Sequence, residues 1–284
     1  MPLAKIILLL APLSVLSAQP RRIVSTAPSV TEMLYALELG DRVVGVTTFC
    51  RYPPDAAQKA KVGTYLRPDL EAVAALRPDL VVAERSPLHA SGWPQALRLN
   101  VLEVEHNTIA GIYESIERIG DATGVQDRAR ALAVSIRREL DQIRRRTGML
   151  PRRRILFIVG RTPGKLEDLI AAGKSSYLEE VMGIAGAQNI FRDSLAAYPK
   201  VSIEGVLAGD PEVIIDMGDM AETVGVTEEQ KRTVVRLWDR YPMLTAVKQR
   251  RVFAVASDIF VVPGPRVVEA ARKLARMLHP EAEF

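Results

Sequence analysis

The chain has 284 residues, of which 48% are hydrophobic and 25% charged, with a formal net charge of +4. This composition provides cores for one large or two medium domains and excludes a low-complexity chain. The small positive excess is spread over both halves, which argues against a nucleic-acid-binding protein. Cys50 is the only cysteine, so an intramolecular disulfide is excluded.

Residues 1–18 differ from the rest of the chain. They contain one lysine and an apolar run that ends in small residues, a pattern that predicts a signal peptide cleaved near Ala18. The alternatives are a membrane anchor or a buried N-terminal strand, but the apolar run is shorter than the ~20 residues that a membrane span needs. No cysteine lies near the cleavage site, so a lipoprotein anchor is not favoured. We therefore expect an exported protein.

Short apolar strands alternate with amphipathic helices after residue 20. After the first strand in sequence, Ser29 is the predicted N-cap of a helix and Glu32 completes a capping box. The second strand, residues 42–46, leads into a loop whose consecutive prolines, Pro53 and Pro54, place it at the surface. This alternation of strands and helices is typical of a parallel sheet covered on both sides.

Two segments, residues 71–82 and 204–215, match each other almost position for position. Each has a glutamate, a short apolar helix, a proline seven residues after the glutamate, an acidic residue and a β-branched strand. Because proline commonly ends helices, two such units could arise by chance. The shared register of glutamate, proline and strand favours a duplicated lobe.

Residues 125–147 have the clearest helical pattern, with apolar side chains at three- and four-residue spacings. A helix of this length is roughly 35 Å long. Since the sequence pattern restarts after it, we expect a first lobe at 20–122, a connecting helix at 123–149 and a second lobe at 150–284. A continuous helix also predicts limited hinge motion.

The predicted fold is α/β: two related Rossmann-like lobes with parallel central sheets, joined by one long interdomain helix. Ligands of open α/β sheets bind at the carboxyl ends of the strands. With two lobes facing each other, this rule places the site in the cleft between them.

The sequence gives little support for catalysis. Residues 160–165 follow a strand, but they are too short for a phosphate loop and Leu166 replaces the metal-binding Ser or Thr. Cys50 has no histidine near it in sequence to act as a base. The chain has three histidines, none paired at metal-ligand spacing: His89, His106 and His279. We therefore predict no catalytic residue, no metal site, no cofactor and no enzymatic activity.

Aromatic residues make up only 5% of the chain, yet several fall in loops at predicted strand ends. These are Phe49, Tyr52, Tyr65, Tyr198 and Phe260. Loop aromatics near prolines provide rigid, amphipathic binding surfaces. Any one of them could instead cover the end of its own lobe. As a set, they favour a large, flat and partly apolar ligand.

The chain resembles the class III periplasmic substrate-binding proteins of ABC importers, most closely the vitamin B12 (cobalamin)-binding protein family. The resemblance covers nearly all of the mature chain. It is carried by residues 22–25, 28–29, 31–32, 43–46, 52–54, 62–63, 69–71, 78–81, 189–191, 201–202 and 204.

The resemblance implies a monomeric periplasmic protein that captures cobalamin or a related corrinoid and delivers it to the permease and ATPase complex of an ABC importer at the inner membrane. It implies that five side chains line the corrinoid cleft: Tyr52 and Tyr65 from the first lobe, and Tyr198, Asp258 and Phe260 from the second. The family often has tryptophan where this chain has Tyr65 and Tyr198.

The resemblance also implies that Glu71 and Glu204 dock onto arginines of the permease, one glutamate from each lobe. Either one, taken alone, could be a solvated helix residue. Their equivalent positions in the two duplicated segments favour the docking role.

Other ligands remain open. Haem is the first alternative, because related proteins hold it with a loop tyrosine and Tyr65 lies in a similar loop. An anionic ferric siderophore is the second, with Arg51, Arg67 and Arg161 placed to meet it. A two-lobe enzyme would need converging acid, base or metal groups, which the sequence does not show.

Overall fold

The computed structural model describes residues 19–85, 99–218 and 226–284. The predicted signal peptide, residues 1–18, and His89 lie outside the described residues. Within the three described ranges, no helix combines the length and the apolar character that a membrane span requires.

The first sheet has five strands, all parallel, in the order β3-β2-β1-β4-β5. The strands are β1 (Ile23–Ser25), β2 (Val43–Val46), β3 (Ala60–Lys61), β4 (Leu80–Glu84) and β5 (Val101–Val104). The helices around it are Pro28–Ala36, Pro54–Ala57, Leu70–Ala75 and Ile109–Thr123, with a 3-10 turn at Gly40–Arg42. The central strand β1 is fully buried, as expected for a parallel sheet covered on both faces.

The second sheet follows the order β11-β10-β6-β7-β9, and β8 pairs with the beginning of β6. Its strands are β6 (Arg153–Gly160), β7 (Leu169–Ala171), β8 (Ala187–Asn189), β9 (Lys200–Val201), β10 (Val213–Asp216) and β11 (Val252–Ala254). The helices are Tyr177–Ile184, Ile203–Gly209, Glu228–Trp238, Thr245–Lys248 and Val267–Leu278, with a 3-10 turn at Asp258–Phe260. Strands β6, β8, β10 and β11 are parallel, whereas β7 runs antiparallel to β6 and to β9.

The predicted two-lobe α/β fold is confirmed. The antiparallel strands β7 and β9 were not predicted, because two or three residues are too few to show an alternating pattern. The lobe boundaries at 20–122, 123–149 and 150–284 stay predictions.

A 22-residue helix, Gln126–Thr147, runs between the two sheets in sequence. It packs closely against helix Ile109–Thr123: a Cβ built on Gly120 would lie only 2.3 Å from the Cβ of Ala129. The final helix also contacts it, and there Arg272 donates to Glu139 at 3.0 Å. These contacts fix the connecting helix along its length.

One continuous cluster of buried apolar side chains includes both lobes and the connecting helix. Ile116 of the first lobe, Ile136 of the connecting helix and Phe157 of the second lobe all belong to it. Because interiors are close-packed, a shared core resists relative movement of the lobes. This continuity supports the expected limit on hinge motion.

The acidic residues of the two duplicated segments make an equivalent hydrogen bond. Asp79 accepts from the backbone N–H of Arg22 at 2.9 Å, and Glu212 accepts from that of Arg154 at 3.0 Å. In both lobes the acidic residue after the proline thus binds the start of the central strand. The repeat is therefore structural as well as sequential.

The two lobes also share a backbone conformation at the ends of these equivalent helices. Helices Leu70–Ala75 and Ile203–Gly209 are each followed by a non-glycine residue with positive φ, Arg77 at 45° and Asp210 at 35°. A proline follows directly in both lobes. This left-handed residue ends the helix and directs the chain into the next strand.

Candidate functional site

The carboxyl ends of the parallel strands define one edge of each sheet. In the first lobe, β4 ends at Glu84, and the loop after β2 contains Tyr52. In the second lobe, β10 ends at Asp216, and β11 is followed by the turn Asp258–Phe260. These edges carry the polar and aromatic residues described below, and several of them make contact across the two lobes.

Arg266 of the second lobe binds a glutamate of the first. Its Nε donates to Glu32 Oε2 at 2.9 Å, and its Nη2 donates to Glu32 Oε1. Its Nη1 and Nη2 donate to the two carboxylate oxygens of Asp258, each at 3.1 Å. The guanidinium also covers the ring of Tyr52, with Cζ 4.1 Å from the ring centroid. We call Glu32, Tyr52, Asp258 and Arg266 the interlobe clasp.

The expected capping box at Ser29 and Glu32 is wrong. The N-cap is Ala27, which makes no side-chain capping bond. Glu32 is buried and points to Arg266 instead, while Ser29 Oγ shares a hydrogen bond with His106 Nε2 at 2.7 Å. A tertiary contact has therefore replaced the local one that the spacing suggested.

The carboxylate of Glu32 has a shifted pKa. Burial raises its pKa to about 6, and the carboxylates of Asp258 and Glu269 act in the same direction, whereas Arg266 opposes the shift. The clasp places two carboxylates on one guanidinium, so its fully ionised form has a net charge of −1. Uptake of a proton by Glu32 relieves this excess.

Tyr198 is half exposed and lies near the first lobe. Its partial burial and the neighbouring Glu84 carboxylate raise the pKa of its phenol. Tyr198, Glu32 and Arg266 all influence the pKa of the buried Tyr177, which burial raises. Tyr198 therefore belongs to the same interlobe region as the clasp.

Ser29, His106 and Glu84 form a polar group at the carboxyl edge of the first sheet. Ser29 Oγ and Glu84 Oε2 both approach the same imidazole nitrogen, Nε2, at 2.7 and 3.4 Å. A catalytic serine triad needs the two partners on opposite ring nitrogens. Ser29 and His106 are also buried, so this group does not present a nucleophile to the cleft.

Two other predicted ligand residues are placed differently. Tyr65 is partly buried and packs against the apolar cluster shared by both lobes. Phe260 is fully buried, with its ring edge-on to Phe157 at a centroid distance of 5.5 Å. The structure thus places Phe260 in the apolar cluster shared by both lobes rather than on the cleft surface.

Arg161 is not available to an anionic ligand, contrary to the expectation. Its side chain is buried and its Nε donates to both oxygens of Asp216, at 3.1 and 3.2 Å. Asp216 also accepts from Trp238 Nε1 at 2.8 Å and from the Gly218 N–H at 2.6 Å. Arg161, Asp216 and Gly218 form part of the wall of a cavity of about 160 Å³ at the carboxyl ends of β6, β10 and β11. Arg51 and Arg67 are exposed.

A model of the periplasmic binding protein family matches residues 23–259 of this chain. The chain belongs to the periplasmic binding protein family.

Individual periplasmic binding proteins are similar over nearly the whole chain. An uncharacterized substrate-binding lipoprotein of an ABC transporter from Bacillus subtilis (strain 168) is 30% identical, covering 93% of this chain and 81% of its own. The crystal structure of the vitamin B12-binding protein of Vibrio cholerae is 26% identical, with a TM-score of 0.76 over 92% of this chain and 98% of that one. A haem-binding protein from Roseiflexus sp. RS-1 is 22% identical, with a TM-score of 0.77 over 93% of this chain and 99% of that one, a likeness of fold alone.

Membership of this family confirms the predicted class of protein. Periplasmic binding proteins of this kind bind a substrate outside the cytoplasm and work with an ABC transporter. The family and its fold are those of binding proteins rather than enzymes. The described residues also contain no group of three or more His, Cys, Asp or Glu side chains arranged to hold a metal ion.

Glu71 and Glu204 occupy equivalent positions in the two duplicated segments. Each is the second residue of a short helix, and each helix is capped by the side chain two residues before the glutamate, Asp69 or Ser202. Both glutamates are exposed. Backbone and Ser202 hydrogen bonds lower the pKa of Glu204, so this carboxylate stays charged. The docking role of the two glutamates remains a prediction.

Sequence reasoning missed Arg266 as a member of the site. It lies 234 residues from Glu32, and no spacing rule connects residues so far apart. The available signal was the Pro263-Gly264-Pro265 sequence before it, since such a rigid loop holds the following residue in place.

Proposed function

We propose that this periplasmic binding protein captures cobalamin or a related corrinoid in its interlobe cleft and delivers it to an ABC importer. One observation carries the proposal: Tyr52 of the interlobe clasp and Tyr198 on the opposite lobe are 43% and 49% exposed. Exposed aromatic rings on both walls suit a large, flat macrocycle, whose burial provides the main binding energy.

The charge of the clasp supports an amide-rich ligand. Two carboxylates outnumber the single guanidinium, so this end of the cleft disfavours the carboxylates of haem and the charge of anionic siderophores. Each Asp258 oxygen accepts one bond from Arg266, and its remaining lone pairs can accept amide N–H groups. The amide side chains of a corrin provide such donors.

The pKa of Tyr198 bears on the haem alternative. Burial and Glu84 raise this pKa, which disfavours the phenolate that binds ferric iron. Tyr65 is then the tyrosine on which haem binding depends. We propose no catalytic activity, no resident cofactor and a monomer, with the corrinoid as transported substrate and the permease and ATPase of the importer as partners.

Absorption spectra test the ligand assignment. The mature protein is mixed with cyanocobalamin or, separately, with hemin, and each mixture is desalted. We expect corrin absorbance at one per chain and no retained haem. A retained haem band without corrin absorbance would contradict the proposal and identify Tyr65 as the candidate iron ligand.

Tyr198→Ala is expected to weaken cyanocobalamin binding about tenfold, because it removes one aromatic wall of the cleft. Equilibrium titration measures the change. Tyr35→Ala is the control, since this ring packs over Gly40 before the amino end of β2, away from the carboxyl edge. Equal affinity in wild type and Tyr198→Ala would exclude Tyr198 from the ligand site.

The double variant Glu71→Ala/Glu204→Ala is expected to bind cyanocobalamin as the wild type does, but to lower transport at least about tenfold, because both docking charges are lost. Uptake by proteoliposomes that contain the importer measures this effect. Glu117→Ala, at an exposed glutamate on helix Ile109–Thr123, is the control. Normal uptake with the double variant would refute the docking role.

A further inference from the structure

We infer that Arg266 is a positioning residue of the cleft: it holds the ring of Tyr52 from the first lobe and the carboxylate of Asp258 from the second in the arrangement that receives the ligand. This inference rests on the proposed function, which assigns Tyr52 and Asp258 to the ligand. It adds a residue that acts through them without contacting the ligand itself.

The hydrogen bonds of Arg266 determine the orientation of its guanidinium. Nε and Nη2 bind Glu32, while Nη1 and Nη2 bind Asp258, so all three nitrogens are used. Because two carboxylates are each bound by two of its N–H donors, the planar guanidinium has a fixed orientation. The side chain is only 10% exposed and that of Glu32 only 4%, so water competes little for these bonds.

The fixed guanidinium in turn orients Tyr52. The cation lies 4.1 Å from the ring centroid, well within the distance of a cation–π contact. Tyr52 as a whole is nevertheless 43% exposed, so Arg266 covers part of this residue and leaves the rest open. Tyr52 therefore has a fixed orientation and a free surface, as a ligand-stacking side chain requires.

Glu32 anchors this arrangement to the first lobe. The charged and titratable groups around it are Arg266, Asp258 and Glu269, and its charge reaches Tyr177. Among them, Arg266 is the cation that binds both oxygens of Glu32. Loss of the bidentate geometry therefore releases Tyr52 and Asp258 together, although neither residue has been changed.

Arg266→Lys tests the inference, because lysine keeps the charge but lacks the planar fork of donors that binds two carboxylates bidentately. If Arg266 prepares the site, the variant populates the receptive arrangement less often and the apparent affinity falls in proportion. We expect the association rate constant for cyanocobalamin to fall about tenfold, while the dissociation rate constant changes little. Stopped-flow absorbance measures both rates.

Hydrogen exchange of the ligand-free protein provides a second readout. In Arg266→Lys, the amides of residues 49–57 and 256–261 are expected to exchange at least about tenfold faster, since both loops lose their common anchor. Arg272→Lys is the control, because Arg272 binds Glu139 on the connecting helix. This control is expected to leave association and exchange unchanged.

The outcomes distinguish the positioning role of Arg266 from the proposed corrinoid binding. Unchanged association and exchange in Arg266→Lys would overturn the inference, and so would an effect confined to dissociation, which would make Arg266 a direct ligand contact. If the wild type binds no corrinoid, the proposed function fails. Exchange in the two loops then still decides whether Arg266 positions them.

Discussion

Replacement of Asp216 by alanine is expected to lower the free energy of unfolding by about 3–5 kcal/mol, the usual cost of breaking a buried ion pair on one side. Its side chain is 0% exposed and that of its partner Arg161 only 2%. The variant leaves the Arg161 guanidinium buried without a carboxylate. It also removes the acceptor of Trp238 Nε1, so a second buried donor loses its partner.

Urea unfolding measures this loss. Glu167→Ala is the control, because Glu167 pairs with Lys165 on the surface and an exposed pair contributes little. If Asp216→Ala does not fold, the double variant Arg161→Met/Asp216→Leu decides the matter. Removal of both charges is expected to restore folding. A loss in Asp216→Ala no larger than that in Glu167→Ala would contradict this account of the network.

Glu32 is expected to make stability depend on pH. Burial raises its pKa from 4.5 to about 6 on folding, so the folded protein holds this proton more tightly than the unfolded chain. The stabilisation from Glu32 is therefore complete below pH 4.5 and is lost as pH rises through 6. Between pH 7.5 and 4.5, the wild type should gain about 1.5 kcal/mol relative to Glu32→Gln.

Urea unfolding of both proteins at four pH values between 4.5 and 7.5 checks this expectation. The comparison with Glu32→Gln cancels the titration of groups that do not interact with Glu32. Glu117→Gln, at an exposed position, is the control and should run parallel to the wild type. A constant difference between wild type and Glu32→Gln at all four values would show that Glu32 does not titrate as proposed.

Much of the fold could be predicted because the repeat is encoded locally. Residues 71–82 and 204–215 each contain a complete helix, proline and strand, so periodicity and turn chemistry suffice to identify them. The helix Gln126–Thr147 was predicted for the same reason, since its apolar side chains recur along one face. Contacts between distant residues, such as the hydrogen bond between Asp79 and Arg22, become visible only in the folded structure.

The site was less predictable because its residues act through distant partners. The spacing of Ser29 and Glu32 suggested a local cap, but Glu32 binds a residue 234 positions away. Phe260 was predicted at the cleft from its loop position, yet its ring packs in the core. Residue type and local pattern can mark a side chain as a candidate for a functional site. They do not indicate which helix, strand or loop that side chain will contact.

A crystal structure of the protein grown with cyanocobalamin tests the central claim most directly. We expect one corrinoid in the interlobe cleft, in contact with Tyr52 and Tyr198, with Asp258 accepting hydrogen bonds from its amide groups and Arg266 still bound to Glu32. A corrinoid bound outside the cleft, or an empty cleft at saturating ligand, would contradict it.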